Sequence, residues 1–126
     1  MRAHFILYVT DQERSTSFYS RALGLSPTLD VPGMTEFTLA TETIVGLMPE
    51  ASVIKLFGDT VAMPSADPRP PRSELYLVVD DAEACHRRAV QAGGREISPF
   101  AERDWGHRAA YCVDPDGHVL AFAEEI

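Results

Sequence analysis

Apolar and polar residues alternate at two places in this chain, seventy residues apart. Phe5, Leu7 and Val9 share one parity in HFILYVTD, as Leu75, Leu77 and Val79 do in ELYLVVDD. A period of two predicts a half-buried strand in each place. The period then lengthens to that of a helix, with Phe18, Ala22 and Leu23 in the first stretch and Cys85, Ala89 and Ala92 in the second. Asp11 and Asp81 stand where those helices begin, supplying a side-chain oxygen for backbone N–H groups that the first turn leaves unpaired. Gly24 and Gly94 stand where they should end, in the left-handed conformation glycine tolerates.

Aligned without a gap, residues 4–24 and 74–94 share Leu7/Leu77, Val9/Val79, Asp11/Asp81, Glu13/Glu83, Ala22/Ala92 and Gly24/Gly94. An internal repeat follows from this shared grammar more than from the identities. Short strands are predicted after each helix: 26–31, 35–40 and 43–48 in the first copy, with a further one near 52–57, and 95–98, 107–113 and 118–123 in the second. DPDG at 114–117 joins the last two, with Pro115 and Gly117 suited to the second and last positions of a type I turn. Prolines at 64, 68, 70 and 71 mark an exposed connector. The expected architecture is α+β: tandem βαβββ modules, 1–62 and 74–126, joined by a Pro-rich connector at 63–73 within one domain. The modules should form a curved mixed sheet around a cavity, with the helices outside.

If the greasy parity packs on each module's helix, the other parity faces inward. It reads His4, Ile6 and Tyr8 in the first copy, Glu74, Tyr76 and Val78 in the second. The closing strand sends Leu120 and Phe122 to the helix side and only Val119, Ala121 and Ala123 to the other. Space beside such small residues belongs to a ligand, a metal or water, or is filled by Tyr8, Tyr76, Met48 or Trp105.

The net charge of −8 argues against a nucleic-acid partner and favours a cationic ligand. No apolar run approaches the roughly 20 residues of a membrane helix, and no signal peptide is read at the start, so a cytoplasmic location is the default expectation. Cys85 and Cys112 lack CxxC spacing and read as free thiols. No Gly-rich phosphate loop, GxSxG elbow or HExxH is present.

The tandem plan, SFYSRALGL at 17–25, WGHRAAYCVDPDGHVLAF at 105–122 and the Asp-capped helices resemble the vicinal oxygen chelate superfamily, which includes glyoxalase I, bleomycin resistance proteins and extradiol dioxygenases. The resemblance spans nearly the whole chain. It implies the fold and a small-molecule ligand, and says little about reaction, because one scaffold hosts lyases, dioxygenases and plain binders. Metal-dependent members take ligands from the first strand of each module and from the last strand. Those places are His4, Glu74 and Ala121 here.

Imidazole and carboxylate suit Zn, Ni, Mn or Fe, but a methyl group ligates nothing, and catalytic sites normally have three protein ligands. Glu36, Glu42 or a partner subunit are the remaining sources of a third. The expectation is no cofactor or a weakly bound divalent metal held by His4 and Glu74.

Tyr8, Tyr76, Trp105, Arg108 and Ala121 are the candidate pocket residues. Trp105 would stack on a flat ligand and Arg108 would grip an anion, unless Arg108 pairs with Asp104 or Asp114. His118 reads as structural. His86, flanked by Arg87 and Arg88, reads as part of a solvated face.

Three functions remain open. The first is a binder that sequesters an aromatic or cationic compound, of the drug-resistance type. The second is a metal-dependent lactoylglutathione lyase-like isomerase or dioxygenase, with Glu74 as ligand or proton-transfer base. The third is a dimeric scaffold without a small ligand. The resemblance also implies a homodimer.

Overall fold

The structure is a computed structural model that describes residues 1–62 and 71–126, so most of the proline connector lies outside the described residues. Eleven elements follow one another among these residues: β1 (Ala3–Val9), α1 (Gln12–Leu23), β2 (Leu29–Val31), β3 (Met34–Ala40), β4 (Thr43–Pro49), α2 (Glu50–Phe57), β5 (Glu74–Val78), α3 (Ala82–Gln91), β6 (Arg95–Glu102), β7 (His107–Val113) and β8 (Val119–Glu125). They form two four-stranded mixed sheets, ordered β1-β4-β3-β2 and β5-β8-β7-β6. In each, the first strand of the module pairs parallel with the last and the other neighbours are antiparallel. The repeat read from the sequence is therefore a repeat of topology.

Contacts gather the chain into two units. One comprises Met1–Thr16 and the chain from Leu25; the other comprises Ser17–Gly24 and Pro71–Ile126.

The expected caps form. Asp11 accepts from the Arg14 N–H and Asp81 from the Ala84 N–H, both at 3.0 Å. Gly24 ends α1 at φ +66°. The second copy differs, because Gly93 rather than Gly94 takes the positive φ. Gly94 has another task. Its N–H donates to the Ala89 carbonyl, and a Cβ there would lie 2.9 Å from that oxygen and 3.3 Å from the Val113 carbonyl oxygen.

The predicted strand at 52–57 is instead the helix α2. Pro49 starts it at φ −65° without a side-chain cap, a φ that suits helix entry. Val53, Ile54, Leu56 and Phe57 read as strand formers, but Val53 is the one buried residue of the helix.

In the first unit, Val9, Phe37, Val45 and Leu47 are fully buried, and Gln12 and Thr16 of α1 both hydrogen-bond the Thr35 hydroxyl beneath them. Phe5 shares their parity, yet is 56% exposed. β1 is an edge strand, and only its end next to α1 is fully covered.

In the second unit, Ala82 N–H at the start of α3 donates to Glu124, which puts α3 on the β8 face of Leu120 and Phe122. Their β7 neighbours Cys112 and Ala110 are buried with them. DPDG closes the last hairpin with Gly117 N–H on the Asp114 carbonyl. The Asp114 carboxylate accepts from the N–H groups of Asp116 and His118 at 2.9 and 2.8 Å, and from the Tyr19 hydroxyl at 2.7 Å.

Candidate functional site

The face of the second sheet opposite α3 gathers the chemistry. Glu74 and Tyr76 come from β5, Ala121 and Ala123 from β8, and His107, Ala109 and Tyr111 from β7, all of one parity in register. Tyr76 and Tyr111 flank Ala121 from either side. Ala121 is fully buried, so large neighbours account for the space beside it.

The first sheet repeats the device. Gly46 stands where Ala121 stands, between Ile6 and Glu36. A Cβ on Gly46 would lie 2.7 Å from Ile6 Cδ1 and 3.0 Å from Met34 Sδ. Small residues on these central strands let long side chains from the flanking strands close over them.

A hydrogen-bonded chain runs along the second face. Trp105 Nε1–H donates to Tyr76 Oη at 2.9 Å, and Tyr76 Oη lies 2.8 Å from His107 Nδ1. Indole only donates, so Tyr76 accepts from Trp105, while the direction of its bond to His107 follows the imidazole tautomer. The Tyr76 and His107 rings stack at 5.8 Å. Arg103 reaches the Tyr111 ring at 5.3 Å while donating to the carbonyls of Ala109 and Pro99 and to Ser98 Oγ. Burial, and then the negative charge of Glu74, push the Tyr111 phenol up from its ordinary pKa. The face thus offers flat aromatic surfaces, one imidazole and one exposed carboxylate.

Of the residues singled out from sequence, the structure brings Tyr76, Trp105, Glu74 and Ala121 to this unit. Tyr8 and His4 lie in the other, on β1. Arg108 is a correction. It lies on the α3 face, 3.5 Å from Glu102 and 3.9 Å from Glu124, because the β7–β8 register gives it the parity of Ala110 and Cys112. His107 belongs to the run 104–108 before β7 that the resemblance sets at a pocket mouth, whereas Arg103 and Tyr111 were not found from sequence, although 107, 109 and 111 share a parity.

Of the sources left open for a third metal ligand, Glu36 is the one set beside His4. His4 Nδ1 lies 3.2 Å from Glu36 Oε2 within the first unit, and the last-strand place is the Ala121 methyl. Among the described residues no group of three His, Cys, Asp or Glu side chains gathers as a metal cage.

His86 is a second correction. It is 5% exposed, not solvated, with Nε2 on Glu96 Oε2 at 2.8 Å. Cys112 is buried and Cys85 half-buried, both free thiols.

Fold and duplication define a tandem βαβββ scaffold, and the comparisons agree. The family model described as Glyoxalase/Bleomycin resistance protein/Dioxygenase superfamily matches residues 2–122, and the chain belongs to this family. A glyoxalase-related enzyme from Fulvimarina pelagi is similar at 25% identity and a TM-score of 0.85, over 99% of this chain and 88% of that one. A protein of unknown function from Agrobacterium tumefaciens matches at 27% identity and TM-score 0.79, covering 100% and 95%. A family enzyme from Burkholderia phytofirmans, at 16% identity and TM-score 0.80 over 98% and 97%, shares the fold. No curated protein matches the chain. No described helix is long and apolar enough to cross a membrane.

Proposed function

We propose that this protein binds a flat aromatic or cationic small molecule on the β5–β8–β7 face, in the manner of a sequestering protein rather than a metal enzyme. One observation carries the reading. Trp105 is held by its indole N–H on Tyr76, yet 52% of the residue stays exposed, so a large planar surface is oriented and still open. Glu74 adds the charge that draws a cation, and the His107 imidazole a polar partner beside the aromatic surface. The methyl at 121 weighs against the lyase or dioxygenase reading with His4 and Glu74 as metal ligands.

Trp105 is the single tryptophan, so its fluorescence reports this face alone. Titration with planar cationic dyes and drugs should quench or shift it saturably and raise the melting temperature, since a ligand of the native state stabilises it. Trp105→Ala should weaken such binding about tenfold or more, a stacking loss of roughly 1–3 kcal/mol. A panel that moves neither signal would remove this reading.

A homodimer in the cytoplasm belongs to the same proposal. β1 is a sheet edge that exposes Phe5, Ile6 and Tyr8, and such edges are normally covered. Sedimentation at micromolar concentration should give twice the mass of the chain, and Phe5→Lys should return it to the monomer. A wild-type monomer would refute the dimer.

A further inference from the structure

We propose that a groove between α3 and β6, on the opposite side of the second sheet from Trp105, is a separate binding site for a small organic ammonium ion with an apolar body. The groove has a volume of about 360 Å³, the lower end of the range for small-molecule sites. α3 lines it with Glu83, His86, Arg87 and Val90, which helical spacing puts on one face. β6 lines it with Glu96, Pro99 and Phe100. The pairing of β6 with β7 shifts register between Ser98 and Ala101, leaving Pro99 and Phe100 without partners across the ladder. Such irregularities re-aim side chains, here into the groove.

The polar centre is the His86–Glu96 pair. A carboxylate only accepts, so the proton of this bond sits on Nε2 of the imidazole. Nδ1 is buried and makes no hydrogen bond among the described residues, where a second proton would find no acceptor. With the imidazole in the Nε2–H tautomer the pair carries one negative charge.

Burying an imidazole with one nitrogen unpaired costs free energy that an aliphatic residue on the same stripe would not. What that cost provides is a carboxylate fixed in direction. Glu96 is half exposed, and its Oε1 has no protein donor among the described residues.

Val90, Pro99 and Phe100 line the same groove as Glu96. An ammonium N–H on Glu96 with the ligand's hydrocarbon along these three satisfies both. Glu83, one helical turn before Arg87, offsets the guanidinium charge, so the groove remains net negative. A carboxylate ligand of the same shape would be repelled.

The test uses the full chain, isotopically labelled, titrated with phenethylammonium chloride. The imidazole signals of His86 and the amides of Val90 and Phe100 should shift saturably, and equally so in Trp105→Ala, which removes the aromatic surface of the other face. 3-Phenylpropionate should leave them unmoved. Glu96→Gln should weaken the binding about tenfold or more, the loss of a charge-assisted hydrogen bond. Val90→Lys, at a partly exposed helix position, adds a cation to the groove and should abolish binding without removing the His86–Glu96 pair.

Absence of saturable shifts at these residues would overturn the site. So would equal binding of 3-phenylpropionate, or unchanged affinity in both variants. Shifts confined to Tyr76, Trp105 and His107 would overturn this site while supporting the face proposed above, so the two readings fail separately.

Discussion

Asp114→Ala should lower stability by roughly 3–5 kcal/mol, the range for breaking a buried charged network by removing one partner. Asp114 is 3% exposed and holds two turn N–H groups and the buried Tyr19 hydroxyl. Its loss opens the last turn and orphans a phenol in the core. The melting temperature should fall by about 10 °C or more. Tyr19→Phe removes the hydroxyl as well as its bond and should cost only about 1–2 kcal/mol. If the two variants melted together, the turn would not depend on the carboxylate.

The same region gives a pH signature. Burial, then the charge and hydrogen bond of Asp114, raise the Tyr19 phenol well above 10.0. Burial, then Asp114, pushes the Cys112 thiol from 9.0 to about 11. Both groups prefer their neutral form in the folded state more strongly than in the unfolded chain. Their contribution is therefore complete below pH 9 and is lost as pH rises through 9 to 11 for the thiol, and from pH 10 upward for the phenol. Urea midpoints measured from pH 8 to 11 should fall, and Cys112→Ala should flatten the first part of the decline.

Gly94→Ala should destabilise by roughly 2–3 kcal/mol through overpacking. The atoms that a Cβ would strike are backbone oxygens of α3 and β7, not the ends of side chains that could turn away. Relief would require α3 to lift from the sheet. Gly46→Ala crowds Ile6 Cδ1 and Met34 Sδ, which can rotate, and leaves the Thr35 carbonyl oxygen at an ordinary 3.8 Å, so it should cost visibly less in a thermal melt. The reverse order would show that α3 is not seated by this close approach.

Much of the architecture was legible because local signals agreed. Alternation at 5, 7 and 9 and at 75, 77 and 79, capped by Asp11 and Asp81, places β1, α1, β5 and α3 where they stand. α2 escaped because Val53, Ile54, Leu56 and Phe57 have strand chemistry and no polar cap precedes them. A proline start and one buried valine leave too faint a helical stripe.

His86 was readable in principle. Ala82, His86 and Ala89 fall at i, i+4 and i+7, the buried stripe of α3, but two neighbouring arginines suggest solvent. Arg108 was not readable. Which face of β7 meets Tyr76 depends on the β7–β8 register, set by the turn and by packing rather than by any residue near 108. The space beside Ala121 likewise required knowing that Tyr76 and Tyr111 are its lateral neighbours.

The second unit takes Ser17–Gly24 from the opposite end of the chain, and the Tyr19–Asp114 bond joins residues 95 positions apart. A growing polypeptide must therefore wait, with Phe18 and Tyr19 uncovered, until almost its last strand has been made. Severing the gene at the proline connector would yield a carboxy-terminal half without those aromatic plugs, so the duplication visible in the sequence no longer marks two parts able to live apart.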